Sequence, residues 1–152
     1  MSDWKSMIGE AVKDFQTVTE LARSPLCSDD FQIEFLECPH KPPSCLPSGK
    51  MAVYGFWHDV EWLKIGLAGP NSNARYTSQH YNPNSAQSTL SGSLCRDPRT
   101  ANCAGFDVAA PGNWIKSHCC RANILLDCKH GPLVLAMLEA FLHLRLTPRY
   151  EK

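Results

Sequence analysis

The sequence predicts an α+β fold, a small three-stranded antiparallel sheet flanked by helices, with one further helix added at the N-terminus. Three observations predict it. Residues 52–66 hold two runs of strand formers joined by a tight turn, Arg121–Asp127 is a third such run, and helical patterns stand at both ends of the chain. With 43% hydrophobic residues in 152, the chain can bury one sizeable core and is too short for two ordinary domains. Residues 1–49 are therefore expected to pack as a helix and a connector against a core formed by residues 50–152.

In chain order, Trp4, Ile8, Ala11, Val12, Phe15, Val18 and Ala22 recur at steps of three and four, predicting an amphipathic helix over Asp3–Arg23. Ser2 or Asp3 would cap it and Pro25 would stop it. Ser24–Gly49 contains five prolines and reads as a wrapped connector, interrupted by Phe31–Leu36, which alternates enough for a strand or a helical turn. Ala52–Trp57 and Val60–Gly66 form a hairpin turning at His58-Asp59. After the turn residues Gly69–Asn73, a short helix is expected over Asn73–Tyr81, ending before Pro83. Ser85–Leu94 is weakly helical, Arg96–Gly112 reads as a loop, and Trp114–Cys120 as a short helix. Gly131-Pro132 opens the last helix, Leu133–Leu146, which is apolar almost all round except for Glu139 and, one turn later on the same face, His143.

The hairpin and the helix after it place a phenol, an ammonium, a guanidinium and an imidazole in one compact unit. Ala52-Val53-Tyr54 and Lys64-Ile65-Gly66, with Arg75 nine residues after Gly66, resemble the signature of the GIY-YIG nuclease superfamily. The resemblance continues to a carboxylate on a later helix, matched by Glu139 in Leu138-Glu139-Ala140-Phe141, and covers roughly Lys50–Arg149, about two thirds of the chain. Ala52 stands where the first motif has glycine, and Lys64 where the second usually has tyrosine. Glu151 stands where many members carry asparagine.

The resemblance implies a divalent-metal-dependent endonuclease acting on DNA. Glu139 would ligate one Mg²⁺ or Mn²⁺, with water and phosphate oxygens filling most of the shell, as suits a hard cation. Tyr54 would take the proton of the attacking water, and Lys64, one strand across, would supply positive charge to lower its pKa. Arg75 offers a planar fork to phosphate oxygens. His80 would orient the water or share in proton transfer, with Gln79 at the alternative register. One such site cuts one strand, so double-strand cleavage would need a homodimer or two successive events.

Charge and cysteine usage bound the partners. Formal net charge is zero, but residues 1–59 carry 5 Lys/Arg against 9 Asp/Glu and residues 60–152 carry 10 against 6, so the two parts stand at −4 and +4. That division suits a local phosphate-binding face with modest, salt-sensitive affinity better than a general nucleic-acid coat. No apolar run is long enough to span a membrane and no signal-peptide pattern is present, so a soluble cytoplasmic protein is expected. The eight cysteines are then expected as free, mostly buried thiols, with Cys38, His40 and Cys45, or His118, Cys119, Cys120, Cys128 and His130, as zinc-ligand sets in short reach. The altered Lys64 and Glu151 positions motivate the alternative function, a non-catalytic nucleic-acid or protein binding module on a degenerate nuclease core.

Overall fold

In the computed structural model, which describes residues 3–151, helices α1 (Trp4–Leu21), α2 (Asn73–Thr77), α3 (Leu90–Arg96), α4 (Pro111–His118) and α5 (Pro132–Leu146) surround one antiparallel sheet. The sheet comprises β1 (Phe31–Leu36), β2 (Lys50–His58), β3 (Glu61–Ala68) and β4 (Cys120–Asp127) in the order β1-β4-β2-β3. The class is α+β, but the sheet has four strands and not three. The fourth is the alternating piece of the connector, which pairs with β4 from Phe31↔Leu126 to Leu36↔Arg121. Six residues of alternation between proline-rich flanks are too few to decide between strand and helix. The unpaired edge that β4 would otherwise present decides it.

The two faces of the sheet differ in kind. Met51, Val53, Trp57, Trp62, Ile65, Ile124 and Leu126 point to α1 and α5 and form a wholly apolar core with Ile8, Phe15, Leu138 and Leu142. The other face carries Ala52, Tyr54, Phe56 and Leu125 beneath Tyr76, Tyr81, Leu90, Leu94, Trp114 and Ile115 from α2, α3, α4 and the 3₁₀ turn Gln79–Tyr81. Polar groups are buried on this second face.

Local chemistry sets most boundaries. Asp3 caps α1 by accepting from Lys5 N, whereas Ser2, the other candidate, lies outside the described residues. The hairpin turns through Asp59-Val60, one residue later than expected, with Asp59 in the left-handed region at φ +55°. The helix expected over 73–81 divides into α2 and the Gln79–Tyr81 turn. Helix α3 starts late because the Thr89 hydroxyl accepts from Gly92 N and so caps it there. Helix α4 begins at Pro111, inside the expected loop, with proline at its first position. After α5, Arg149 N donates to Trp62 O and Tyr150 N to Leu63 O, so the tail runs along the outer edge of β3 and covers it. No helix among the described residues is long and apolar enough to cross a membrane.

Helix α1 is integral to the apolar core, since the fully buried Phe15 meets Phe31 of β1 and Phe141 of α5. Phe15→Ala should cost about 3–5 kcal/mol, seen as a lower urea midpoint with an unchanged m-value. A loss under about 1 kcal/mol would mark α1 as peripheral.

Candidate active site

Two backbone devices build the polar face around Tyr54. The first is a bulge in β3. Trp57 pairs with Trp62 and Phe56 with Lys64, leaving Leu63 as the extra residue. In a regular strand Lys64 would share the face of Trp62, two residues before it, and point into the apolar core. The bulge turns it instead toward the face of Phe56 and Tyr54, where it is 1% exposed. The second device is Gly66, directly opposite Tyr54. A Cβ there would lie 3.0 Å from the Tyr54 hydroxyl and 3.1 Å from its ring, so the absence of a side chain lets the phenol cross β3 toward the sheet edge.

The Tyr54 hydroxyl lies 2.7 Å from His80 Nε2, and the other ring nitrogen, Nδ1, accepts from Leu90 N at 3.1 Å. Burial, followed by the charges of Arg75, Lys64 and Arg121, pushes the His80 pKa down to about 2, so the ring is neutral and carries one proton. Because Nδ1 is an acceptor, that proton is on Nε2 and is donated to the phenol oxygen. His80 therefore holds Tyr54 as a donor and does not accept a proton from it. Burial pushes the Tyr54 phenol up to about 12, against the charges of Arg75 and Arg121 and a hydrogen bond from Arg75. The charge of Glu139 adds to the rise.

Arg75, on α2, also donates to the carbonyls of Gln87 (3.2 Å) and Ser88 (3.4 Å). Lys64 donates to the Ser88 hydroxyl at 3.1 Å and pairs with Glu151 at 2.7 Å. Ser88 itself sits at φ +56°, a conformation that non-glycine residues seldom adopt. Both sequence-identified cations thus meet one short segment of chain, and Glu151 reaches Lys64 because the tail is fixed to β3 two residues earlier.

Glu139 lies at the rim, partly exposed, with His143 Nε2 at 3.9 Å. His143 Nε2 is also 3.0 Å from Ile65 O and 4.0 Å from Glu151. Burial raises the Glu139 pKa, His143 lowers it, the Glu151 charge raises it, and Arg75 and Lys64 lower it. Those influences place Glu139 in the electrostatic neighbourhood of both cations. Of the five residues, spread over 86 positions of sequence, His80 touches the Tyr54 phenol, Arg75 and Glu139 act on it through their charge, and Lys64 acts on His80 and Glu139.

No family model, curated protein or solved structure matches the chain. The cysteines form no disulfide. Only Cys119 is fully buried, while Cys27, Cys38 and Cys45 are exposed, so the thiols are less buried than expected. Among the described residues no three His, Cys, Asp or Glu side chains converge as a metal site, so neither zinc-ligand set is assembled.

Several participants were not among the sequence candidates. In the sequence Glu151 stands out only as the occupant of an asparagine position, and Ser88 carries no signal. Arg121 and Asn123 do carry one. They alternate with Ala122 and Ile124 in a strand that is apolar from there to Leu126, so two polar residues share a buried face. Arg121 Nε donates to Asn123 Oδ1 (2.8 Å), its terminal nitrogens to the Tyr81 hydroxyl (3.2 Å) and Tyr76 O (2.6 Å).

Gly66→Ala should cost about 1–3 kcal/mol through overpacking and push the phenol off His80. The ¹⁵N shift of His80 Nε2 reads that contact, and an unchanged shift would show that Gly66 does not confine the ring.

Proposed function

We propose that the chain is a metal-dependent endonuclease hydrolysing DNA phosphodiester bonds, with Tyr54 as general base, Lys64 and Arg75 on phosphate and Glu139 holding one Mg²⁺ or Mn²⁺. The observation that carries this reading is the setting of the Tyr54 oxygen. It receives a hydrogen bond from neutral His80, the positive charge of Arg75 bears on it, and a second guanidinium, Arg121, lies under its ring. Donors and positive charge directed at a phenol favour its phenolate, the form a base needs, and here they partly offset the burial that pushes the phenol up to about 12.

Phosphodiester hydrolysis needs an activated water, stabilisation of charge on the transferring phosphoryl group and assistance to the departing oxygen. Tyr54 takes the water proton. Arg75 exchanges the Gln87 and Ser88 carbonyls for two phosphate oxygens, which bind a guanidinium more strongly than neutral carbonyls do. Lys64 adds a second charge once Glu151 and Ser88 yield it, and His80 keeps the phenol oriented throughout.

The residues at the rim fit a hard divalent ion. Glu139 and Glu151 offer carboxylate oxygens, and the Glu151 charge raises the Glu139 pKa, a repulsion that such an ion would relieve. When bound it would polarise the phosphate and stabilise the departing oxygen. With one strongly placed carboxylate, most of its shell would come from water and substrate.

The alternative, a non-catalytic nucleic-acid or protein binding module, is favoured by one observation: Arg75 and Lys64 are both already occupied by internal partners. Incubation with supercoiled plasmid separates the two readings. Nicking should require Mg²⁺ or Mn²⁺, disappear with chelator and be abolished in Glu139→Ala, which should remain folded because the change removes a charge from a mostly apolar helix. Retained DNA binding without nicking would favour the binding module.

The phenolate share rises tenfold per pH unit below the phenol pKa. With Tyr54 pushed up to about 12, the nicking rate should climb about tenfold per unit between about pH 7 and pH 9, and Tyr54→Phe should remove that rise. A flat wild-type profile would exclude Tyr54 as the base.

A further inference from the structure

Arg121 is fully buried, yet among the described residues it forms no ion pair with a carboxylate. Its guanidinium carbon instead lies 4.8 Å from the centre of the Tyr54 ring, 5.1 Å from Tyr76 and 5.2 Å from Phe56. Its side-chain hydrogen bonds go to neutral acceptors: the Asn123 amide, the Tyr81 hydroxyl and the Tyr76 carbonyl. The nearest negative charge on this network, Glu34 of β1, is held one residue away, behind the Asn123 amide at 3.5 Å. A cation buried with neutral partners keeps its full field, whereas one paired to a carboxylate is largely neutralised for its neighbours.

We propose that Arg121 is a positioning residue that acts through Tyr54: its unneutralised guanidinium, stacked beneath the phenol ring, favours the phenolate that the cleavage step uses. This rests on the nuclease reading above for its catalytic consequence, but the hold of Arg121 on the phenol does not.

The hydroxyl of Tyr81 extends the same network. His40 Nδ1 donates to Cys119 O at 2.7 Å, so Nε2, 2.7 Å from Tyr81, accepts the Tyr81 proton. The Tyr81 oxygen is thereby left to accept from Arg121. Burial lowers the His40 pKa, and Arg121 and Lys116 lower it further, which keeps this ring neutral. The groups bearing on Tyr54 are then Arg75 from α2, His80 from the following turn, Arg121 from β4 and Glu139 from α5, with Lys64 paired to Glu151 on β3. Arg121 is the one cation of that set with no route to solvent and no competing anion.

A charge relocation tests the proposal without dismantling the fold. In Glu34→Gln/Asn123→Asp the carboxylate moves from position 34 to position 123. Net charge is unchanged, and the acceptor for Arg121 Nε and a 34–123 amide–carboxylate hydrogen bond are kept. The guanidinium acquires a direct counter-ion. With 3,5-difluorotyrosine at position 54, whose phenol ionises well below that of tyrosine, ¹⁹F NMR reads the titration of this one ring in the folded protein. The double variant should titrate at least about one pH unit higher than its parent, equal to about a tenfold loss of phenolate at fixed pH. Arg121→Met should move it the same way, and Arg121→Lys should move it less.

An unmoved titration in the folded double variant would overturn the proposal, as would Arg121→Lys behaving like Arg121→Met. Nicking by the same variants without the fluorinated residue gives the second arm. Loss of about tenfold at neutral pH, recovered about one unit higher, supports both the proposal and the nuclease reading. A shifted titration with unchanged nicking, or with no nicking in any protein, leaves the hold of Arg121 on Tyr54 established and removes Tyr54 as a nuclease base.

Discussion

Burying a guanidinium away from water and from any carboxylate costs several kcal/mol unless its charge and its N–H groups are satisfied in other ways. The way Arg121 is satisfied accounts for much of the layer above the sheet. Its acceptors come from α2, from the Gln79–Tyr81 turn and from its own strand, and its faces are covered by rings from β2 and α2. Moving α2 would uncover the charge and orphan a donor together. A five-residue helix has almost no stability of its own, so this anchoring, with the burial of Tyr76, is what holds Arg75 and His80 where they are.

The opposite layer is organised by burial of apolar area alone, and the contrast explains how the two faces divide their work. Helices α1 and α5 can meet the sheet with interchangeable aliphatic and aromatic side chains, and substitutions there change stability by volume. On the polar face each group is held by specific partners. His80 is neutral because it is buried, and it donates from Nε2 because a backbone N–H occupies Nδ1. The β3 bulge and Gly66 are the points where the chain departs from regular structure so that these partners can meet, consistent with departures from local regularity collecting at functional sites.

Much of the fold was legible because its strong elements have unambiguous periods: α1, α5, the hairpin and β4 were all identified from patterning. The fourth strand was not, since Phe31–Leu36 needs the edge of β4 to become a strand. The starts of α3 and α4 were missed because they are set by a cap at Thr89 and a proline at position 111. The candidate residues on the hairpin and its helix were legible through resemblance to a known motif, but their protonation was not. The tautomer of His80 depends on Leu90 N, ten residues away, and the Lys64 partner depends on a tail that reaches it by running along β3. The bulge that aims Lys64 leaves only a faint trace in the sequence, a charged residue two positions after the core residue Trp62 where a regular strand would put both on one face.

The zero net charge of the chain is compatible with a phosphate-binding site once the charges are placed. Lys64, Arg75 and Arg121 are set against Glu151, Glu139 and Glu34, so the site is close to neutral as a whole while its charges remain separated within it. Screening limits fields between exposed groups to about 10 Å at ordinary salt, so under the proposed function such a site would attract nucleic acid only weakly from a distance. On the proposed nuclease reading its selectivity would arise at contact, where a phosphate would replace the Gln87 and Ser88 carbonyls on Arg75 and compete with Glu151 for Lys64. Exchange of this kind favours a ligand with several negative oxygens in fixed geometry over a single carboxylate, because both cations must be re-paired together for the displaced partners to be compensated.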